Sequence, residues 1–244
     1  MGSLVTYRLD GPIATITMDD GKVNALSPAM LTALGAAFDR AEADGAVVVL
    51  AGRDGVFSAG FDLAVLGAGG SEVEAMVRGG FELAGRLLAF PLPVVVACTG
   101  HAVAMGVFLL LSADYRIGAD GPYRITTNEV AIGLTLPRVA VEIMRQRLAP
   151  AHFNRAALLA EVYPPADAVT AGFLDRVVEP AALAAAAHDA GTRLAQLNMG
   201  AHAATKLRVR APALAAVRAG LHADERALQA PPAASCLHAD ERIL

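Results

Sequence analysis

The sequence predicts an α/β fold built on a mostly parallel sheet, and three observations carry that prediction. Valine-rich runs, VVVLA at residues 47–51 and VVVAC at 94–98, lack the alternation of a half-solvated strand and suit strands covered on both faces. Helical patterns separate these runs, so strand and helix alternate through the first half of the chain. Glycine-bearing turns follow the apolar strands, and a parallel sheet gathers such turns at the carboxyl ends of its strands. The turns at 57–63 and 100–106 are therefore expected side by side.

The chain has 244 residues, 55% of them hydrophobic, which is enough for a large core in one domain or in one domain with a helical appendage. We divide it into a core at 1–195 and a C-terminal helical region with an irregular tail at 196–244. A net charge of −4 gives no basic footprint for nucleic acid. Two cysteines, Cys98 and Cys236, are too few for a disulfide framework and fit a reducing cytoplasm, the expected location. No apolar run reaches the about eighteen residues of a membrane span, and the first residues lead straight into strand-like sequence. His222 and His238 have no neighbours in a ligating arrangement, so no metal site is expected.

Taken in order, residues 5–9 and 13–18 flank Asp10-Gly11-Pro12 and read as an antiparallel hairpin. Ser27-Pro28 supplies a cap and a first-turn proline for a helix to about residue 43, with Met30, Leu31, Leu34 and Phe38 on one face. After the strand at 47–51, the loop through Ala59 and Gly60 exposes the Phe61 amide, and Asp62 is placed to cap a helix beyond it. Ser71 with Glu74 reads as a capping box opening a helix to about residue 90. The run from Val94 to Asp114 reads as a buried strand, a tight turn at 100–106 and a helix from about Met105 that is apolar almost all round. The first N–H groups of that helix need partners inside the protein, or a bound anion or polarised carbonyl oxygen. Beyond Pro137 the pattern is helical at 139–148, 150–160 and 167–171, the last closed by Gly172, with Ala157, Leu158 and Leu159 as core. Pro180 opens an alanine-rich helix to about residue 198, and another runs from about 201 to 221. The hexapeptide LHADER occurs at 221–226 and again at 237–242, and the segment after Pro231 is expected to be poorly ordered or to cover a subunit surface.

Four segments in order, DGKVNALS at 20–27, FSAGFDL at 57–63, PVVVACTGHAVAMGVFLLLSAD at 93–114 and NEVAIGLTLP at 128–137, make the chain resemble the crotonase, or enoyl-CoA hydratase/isomerase, superfamily. The resemblance spans roughly the first 220 residues. It implies a spiral of repeated ββα units, a C-terminal helical region used for trimer contacts, and a pocket for an acyl-CoA thioester. Coenzyme A is then part of the substrate, no separate cofactor is implied, and the assembly is a homotrimer or a dimer of trimers.

By the same resemblance, the amides of Phe61 and Met105 grip the thioester oxygen, on which charge grows as a proton leaves the α-carbon. Met105 stands where the family has glycine, so its side chain must leave the pocket or Gly106 must adjust the turn. The backbone of Asn24, Ala25 and Leu26 resembles the family's adenine-side segment. Ala59, Gly60, Asp62, Gly106, Phe108 and His101 complete the implied lining, with His101 as a weighed substitute acid/base. Lys22, Arg53, Lys206 and Arg208 are candidate phosphate contacts, each also readable as a surface charge; Arg138 is a further residue with the same two readings.

The carboxylates discriminate between reactions. Hydratases of this family use two glutamates. The second corresponds to Glu129, while the first falls on Phe108. Adding water divides its work between two groups, whereas moving a double bond from position 3 to position 2 needs one base. The residues lean towards isomerase; overall similarity gives the nominal reading of enoyl-CoA hydratase. A non-catalytic acyl-CoA-binding protein and a thioester hydrolase stay open.

Overall fold

The computed structural model describes residues 3–229, with side chains described through residue 221. The chain opens with the hairpin β1 (Val5–Asp10) and β2 (Ile13–Met18), then β3 (Ala25–Leu26) and α1 (Pro28–Ala43). Ser27 caps α1 by accepting from the Met30 N–H at 3.2 Å, and Met30, Leu31, Leu34 and Phe38 are buried as the sequence predicts. Next come β4 (Val47–Ala51), β5 (Gly55–Ser58), β6 (Gly60–Phe61), α2 (Leu63–Ala68) and α3 (Ser71–Ala89). Asp62 caps α2 through the Ala64 N–H at 2.8 Å. The capping box expected at Ser71 is not made. Gly70 is the cap residue and no side-chain cap bond forms, because helical geometry begins one residue early and puts Ser71 inside the first turn.

The middle of the chain supplies β7 (Val94–Cys98), β8 (Gly100–Val103), α4 (Met105–Ser112), β9 (Tyr115–Ala119) and β10 (Ile125–Thr126). The tight turn expected over 100–106 is thus mostly a strand. Local sequence marks these residues as small and turn-prone, but partners on both sides, β5 and β10, recruit them into a sheet. A 3-10 turn at Val130–Ile132 leads on to α5 (Arg138–Arg145), α6 (Pro150–Leu159), α7 (Pro165–Ala171) and β11 (Arg176–Val178). The chain closes with a 3-10 turn at Pro180–Ala182, α8 (Leu183–Leu194) and α9 (Met199–Gln229). Leu158 and Leu159 are exposed rather than core, since α6 buries only Ala156 and Ala157 against its neighbours. The segment after Pro231, with His238 and Cys236, lies outside the described residues.

Six strands form the main sheet in the order β1-β2-β4-β7-β9-β11, antiparallel at the β1–β2 hairpin and parallel elsewhere. The β10-β8-β5 and β3-β6 strands form two smaller parallel sheets. Each turn of the chain therefore lays one strand in the large sheet, one or two in the small sheets and then helix, as in β4-β5-β6-α2-α3, β7-β8-α4 and β9-β10-α5. This is the spiral of ββα units that the sequence resemblance implies.

Both faces of the large sheet are covered, which is why its central strands need no alternation. Val48, Leu50, Val94 and Val96 face the main core, while Val47, Val49, Val95 and Ala97 face Leu183, Ala187 and Ala190 of α8. Each such Val or Leu contributes roughly 1.5–3 kcal/mol on burial. Leu214 and Val217 carry α9 into the main core as well. No helix among the described residues is long and apolar enough to cross a membrane.

Polar anchors tie α9 down. Asp114, just after α4, accepts from Lys206 Nζ at 2.6 Å, Arg210 at 2.8 Å and the Val94 N–H at 2.8 Å. Arg210 also donates to the Leu88, Ser112 and Ala113 carbonyls at the ends of α3 and α4, where helix dipoles favour a cation. Lys206 is therefore not a phosphate contact: its side chain is 3% exposed and committed to Asp114. A helical lysine four residues from an arginine reads as a solvated face until a buried partner is placed opposite.

Candidate active site

Two turns from different repeats meet at the carboxyl ends of the small-sheet strands. In the first, Gly60 has φ +90°, and a Cβ there would lie 2.9 Å from Ala104 Cβ, 3.0 Å from Val103 O and 3.2 Å from Met105 N. Only glycine fits this combination of a left-handed backbone and a close neighbour. In the second, a Cβ on Gly106 would meet Ser58 O at 2.6 Å and Ser58 Cβ at 2.9 Å; the actual Gly106 has no such atom. The two turns are thus interlocked, each supplying the glycine that lets the other approach. Covalent geometry holds the Phe61 nitrogen, one peptide beyond Gly60, within about 7 Å of the Met105 nitrogen.

The start of α4 is built to present donors. Ala104 has φ 50°, a left-handed conformation that costs an alanine on the order of 1–3 kcal/mol and turns the chain sharply into the helix. The Val107 and Phe108 N–H groups return to the Ala104 carbonyl at 2.8 and 3.4 Å. Those of Met105 and Gly106 are left without a partner among the described residues. Met105 itself is buried, and its sulfur lies 3.5 Å from where a Cβ on Gly80 would stand, so its side chain packs on α3. A side chain in place of the family's glycine is accommodated because it has a seat away from the donor.

A polar network fixes the first turn. Asn24 is fully buried at φ 52°, and its side-chain amide donates to the Met18 and Phe57 carbonyls, each at 3.1 Å. The Ser58 hydroxyl donates to the Asn24 carbonyl at 2.8 Å and accepts from the Gly60 N–H at 3.1 Å. Asp20 accepts from the backbone N–H groups of Lys22, Asn24 and Ala25, which with the Arg53 side chain lower its carboxyl below the usual range against the opposing effect of burial. Ala25 and Leu26 pair with Gly60 and Phe61 as β3 and β6, so the segment that the resemblance assigns to the adenine side runs directly beside the first turn. The Ala59 N–H donates to Val23 O at 3.0 Å. Arg53 donates to the Lys22 carbonyl at 2.7 Å and pairs with Asp19, bracing the same loop. Lys22, Arg138 and Arg208 are exposed.

Glu129 arrives from the third repeat. The Ala104 N–H donates to Thr126 O at 3.0 Å, so Glu129, three residues on, lies within about 11 Å of that anchor. Glu129 is 7% exposed and its Oε2 is buried without a hydrogen-bond partner. Burial pushes its carboxyl up from the ordinary glutamate value, opposed in part by its own N–H. The neighbouring Asn128 Oδ1 is buried and unpartnered too. Phe108 is 1% exposed and packs against Phe81 at 5.7 Å between ring centroids, with Phe61 edge-on to Phe81 at 6.2 Å. His101 Nδ1 accepts from the Arg124 N–H at 3.0 Å, and its ring meets Tyr123 edge-on at 5.5 Å.

A model of the enoyl-CoA hydratase/isomerase family matches residues 8–238. The chain belongs to that family. Among enoyl-CoA hydratase/isomerase structures, it superimposes on a family protein from Pseudomonas syringae with a TM-score of 0.91 at 45% identity, covering 92% of this chain and 98% of the other. A probable enoyl-CoA hydratase from Mycobacterium tuberculosis gives 0.89 at 50% identity over 93% and 97%. Human mitochondrial enoyl-CoA delta isomerase 1 is 33% identical over 171 residues, 68% of this chain and 57% of that protein. Against the human, rat and mouse isomerases the match spans 57–63% of their length. The relatives thus carry both hydratase and isomerase names.

Local pattern does not mark Phe81 of α3, the left-handed Ala104 or the hydrogen bond that joins Ser58 to Asn24. The unusual glycine pair in the middle of α3 was the one available signal.

Proposed function

We propose that the protein is a Δ3,Δ2-enoyl-CoA isomerase in which Glu129 is the only acid/base and the Phe61 and Met105 amides hold the thioester oxygen. The observation that supports this reading is that Glu129 is the one buried carboxylate among the described residues: its Oε2 has no partner there, and Phe108, packed in an aromatic cluster, stands where the resemblance places the other glutamate. Glu129 removes a proton from C2 of a 3-enoyl-CoA. The electron pair moves onto the thioester oxygen, where two fixed N–H groups stabilise the dienolate. The same carboxyl returns the proton at C4, leaving the double bond between C2 and C3. Phe108 and Phe81 keep water from the β-carbon, and a raised carboxyl pKa suits a group that must both take and release a proton.

A hydratase reading has its own support in Asn128, whose unpartnered Oδ1 beside Glu129 is suited to hold a water. Offering the protein 2-enoyl-CoA and 3-enoyl-CoA separately distinguishes the two. Isomerisation appears as new conjugated-thioester absorbance from the 3-enoyl ester, hydration as its loss from the 2-enoyl ester, and binding of either without turnover points to an acyl-CoA-binding protein.

The pH profile is a further expected outcome. The reaction needs ionised Glu129, and burial raises its pKa, so activity falls as the pH drops through the raised value. The acid limb of kcat/KM should lie above the ordinary glutamate range. An acid limb at or below that range would remove Glu129 as the base.

A further inference from the structure

α3 carries adjacent glycines, Gly79 and Gly80, in the middle of a 19-residue helix, where each is unfavourable by about 1 kcal/mol relative to alanine. Their surroundings differ. A Cβ on Gly79 would meet only Leu31 Cδ1 at 3.8 Å, an ordinary contact. A Cβ on Gly80 would lie 2.5 Å from Phe61 Cε1, 2.6 Å from Phe61 Cζ and 3.5 Å from Met105 Sδ. The two side chains that converge on Gly80 belong to the two residues whose amides are the proposed oxyanion donors. Phe81, next along, receives Phe61 edge-on and Phe108 on its other contact.

We infer that Gly80 is a positioning residue for the oxyanion pair: its bare backbone is the common seat for the side chains of Phe61 and Met105, and through them α3 sets where the two donor amides stand. The inference rests on the oxyanion reading proposed for this site, and it adds a third element to a site otherwise built from two turns. The Phe61 ring is rigid, so a methyl in its seat displaces the whole ring and with it the peptide to which the ring is attached. The Met105 side chain is flexible and touches the seat only at van der Waals distance, so it yields more easily. Donor placement matters at the scale of a few tenths of an ångström, because the donors act on charge that develops only in the transition state.

The test compares Gly80→Ala, Gly79→Ala and the pair Gly80→Ala with Phe61→Leu. The readouts are the steady-state constants for whichever enoyl-CoA ester is turned over, and the absorbance of bound 4-aminocinnamoyl-CoA. That chromophore moves to the red as its thioester carbonyl is polarised, so it reports the donors independently of the reaction catalysed. Gly80→Ala should lower kcat by about tenfold or more with KM changed little, and should abolish most of the red shift while the ester still binds. Gly79→Ala should keep the wild-type kinetics and red shift and melt at a higher temperature. Leucine ends short of the positions that Cε1 and Cζ occupy, so in the Phe61→Leu background the Gly80→Ala change should become nearly neutral. Wild-type kcat and red shift in Gly80→Ala would overturn the inference, as would a loss that Phe61→Leu fails to relieve. Should Gly80→Ala not fold alone, the double variant compared with Phe61→Leu decides the same point. A red shift that is absent in the wild-type protein would instead sink the oxyanion reading itself.

Discussion

Glu129→Gln is expected to lower turnover of the enoyl-CoA ester by about 10²–10⁴-fold and, at neutral pH, to raise the melting temperature. Both effects have one cause. Glu129 is nearly buried, and one of its oxygens has no hydrogen-bond partner, so the ionised form that the reaction needs is the form that the fold accommodates worst. The carboxyl pKa is raised in the native state, so between the unfolded and folded values the native state binds more protons than the unfolded chain. Stability from this group is complete below the unfolded value and is lost as pH rises through the folded one. Glutamine is neutral throughout, so the advantage of the variant should be present at neutral pH and shrink in acid. Turnover measured with each ester, and thermal unfolding at neutral and acid pH, check the two halves. An unchanged rate would remove Glu129 from the chemistry, and a lower melting temperature at neutral pH would show that its unpartnered oxygen is not a burden.

The largest effect on stability is expected from Asp114→Ala. The carboxylate is the shared partner of Lys206 and Arg210, whose side chains are 3% and 8% exposed, and it also accepts the Val94 N–H. Removing it leaves two buried cations facing each other and Arg147, with the Leu92, Leu88, Ser112 and Ala113 carbonyls as their hydrogen-bond acceptors among the described residues. Breaking a buried pair from one side costs about 3–5 kcal/mol, or a fall in melting temperature of about 6–20 °C for a chain of this size. Desolvation already holds Lys206 down at about 8, with Asp114 opposing. Because that value is below the unfolded one, the unfolded chain binds the extra proton between them, and native stability recovers as pH rises through that window. The deficit of Asp114→Ala should therefore be largest at neutral pH and smaller in mild alkali, where Lys206 is uncharged. Denaturant midpoints at the two pH values measure this, and a deficit under about 1 kcal/mol at neutral pH would show that the helix-end carbonyls alone satisfy the cations.

Much of this architecture is legible residue by residue. The β1–β2 hairpin, α1 with its Ser27 cap, β4, β7 and the apolar α4 lie where periodicity, caps and breakers place them. The failures share a cause. The Ser71 capping box matches a local pattern, but the helix starts a residue earlier. β8 reads as a turn from its small residues, and becomes a strand only because β5 and β10 flank it. Leu158 and Leu159 are apolar yet exposed among the described residues, whereas Lys206 is charged on a helix that buries it beside Asp114. In each case the deciding partner is distant in the chain, and a local pattern carries no information about it.

The candidate site divides in the same way. Sequence by itself determined which residues stand at the critical positions: glycine at 60 and 106, glutamate at 129, and phenylalanine where a second acid would be. It determined the family too, because several short motifs in order are far more specific than any one of them. Tertiary structure alone decided that Gly60 touches the start of α4 while Gly106 touches Ser58, that Glu129 Oε2 is dry and unpartnered, and that the side chains of Phe61 and Met105 share a seat on Gly80. Such convergence follows from the register of parallel strands separated by whole helices, and a register is a property of pairs of segments, set only when they meet.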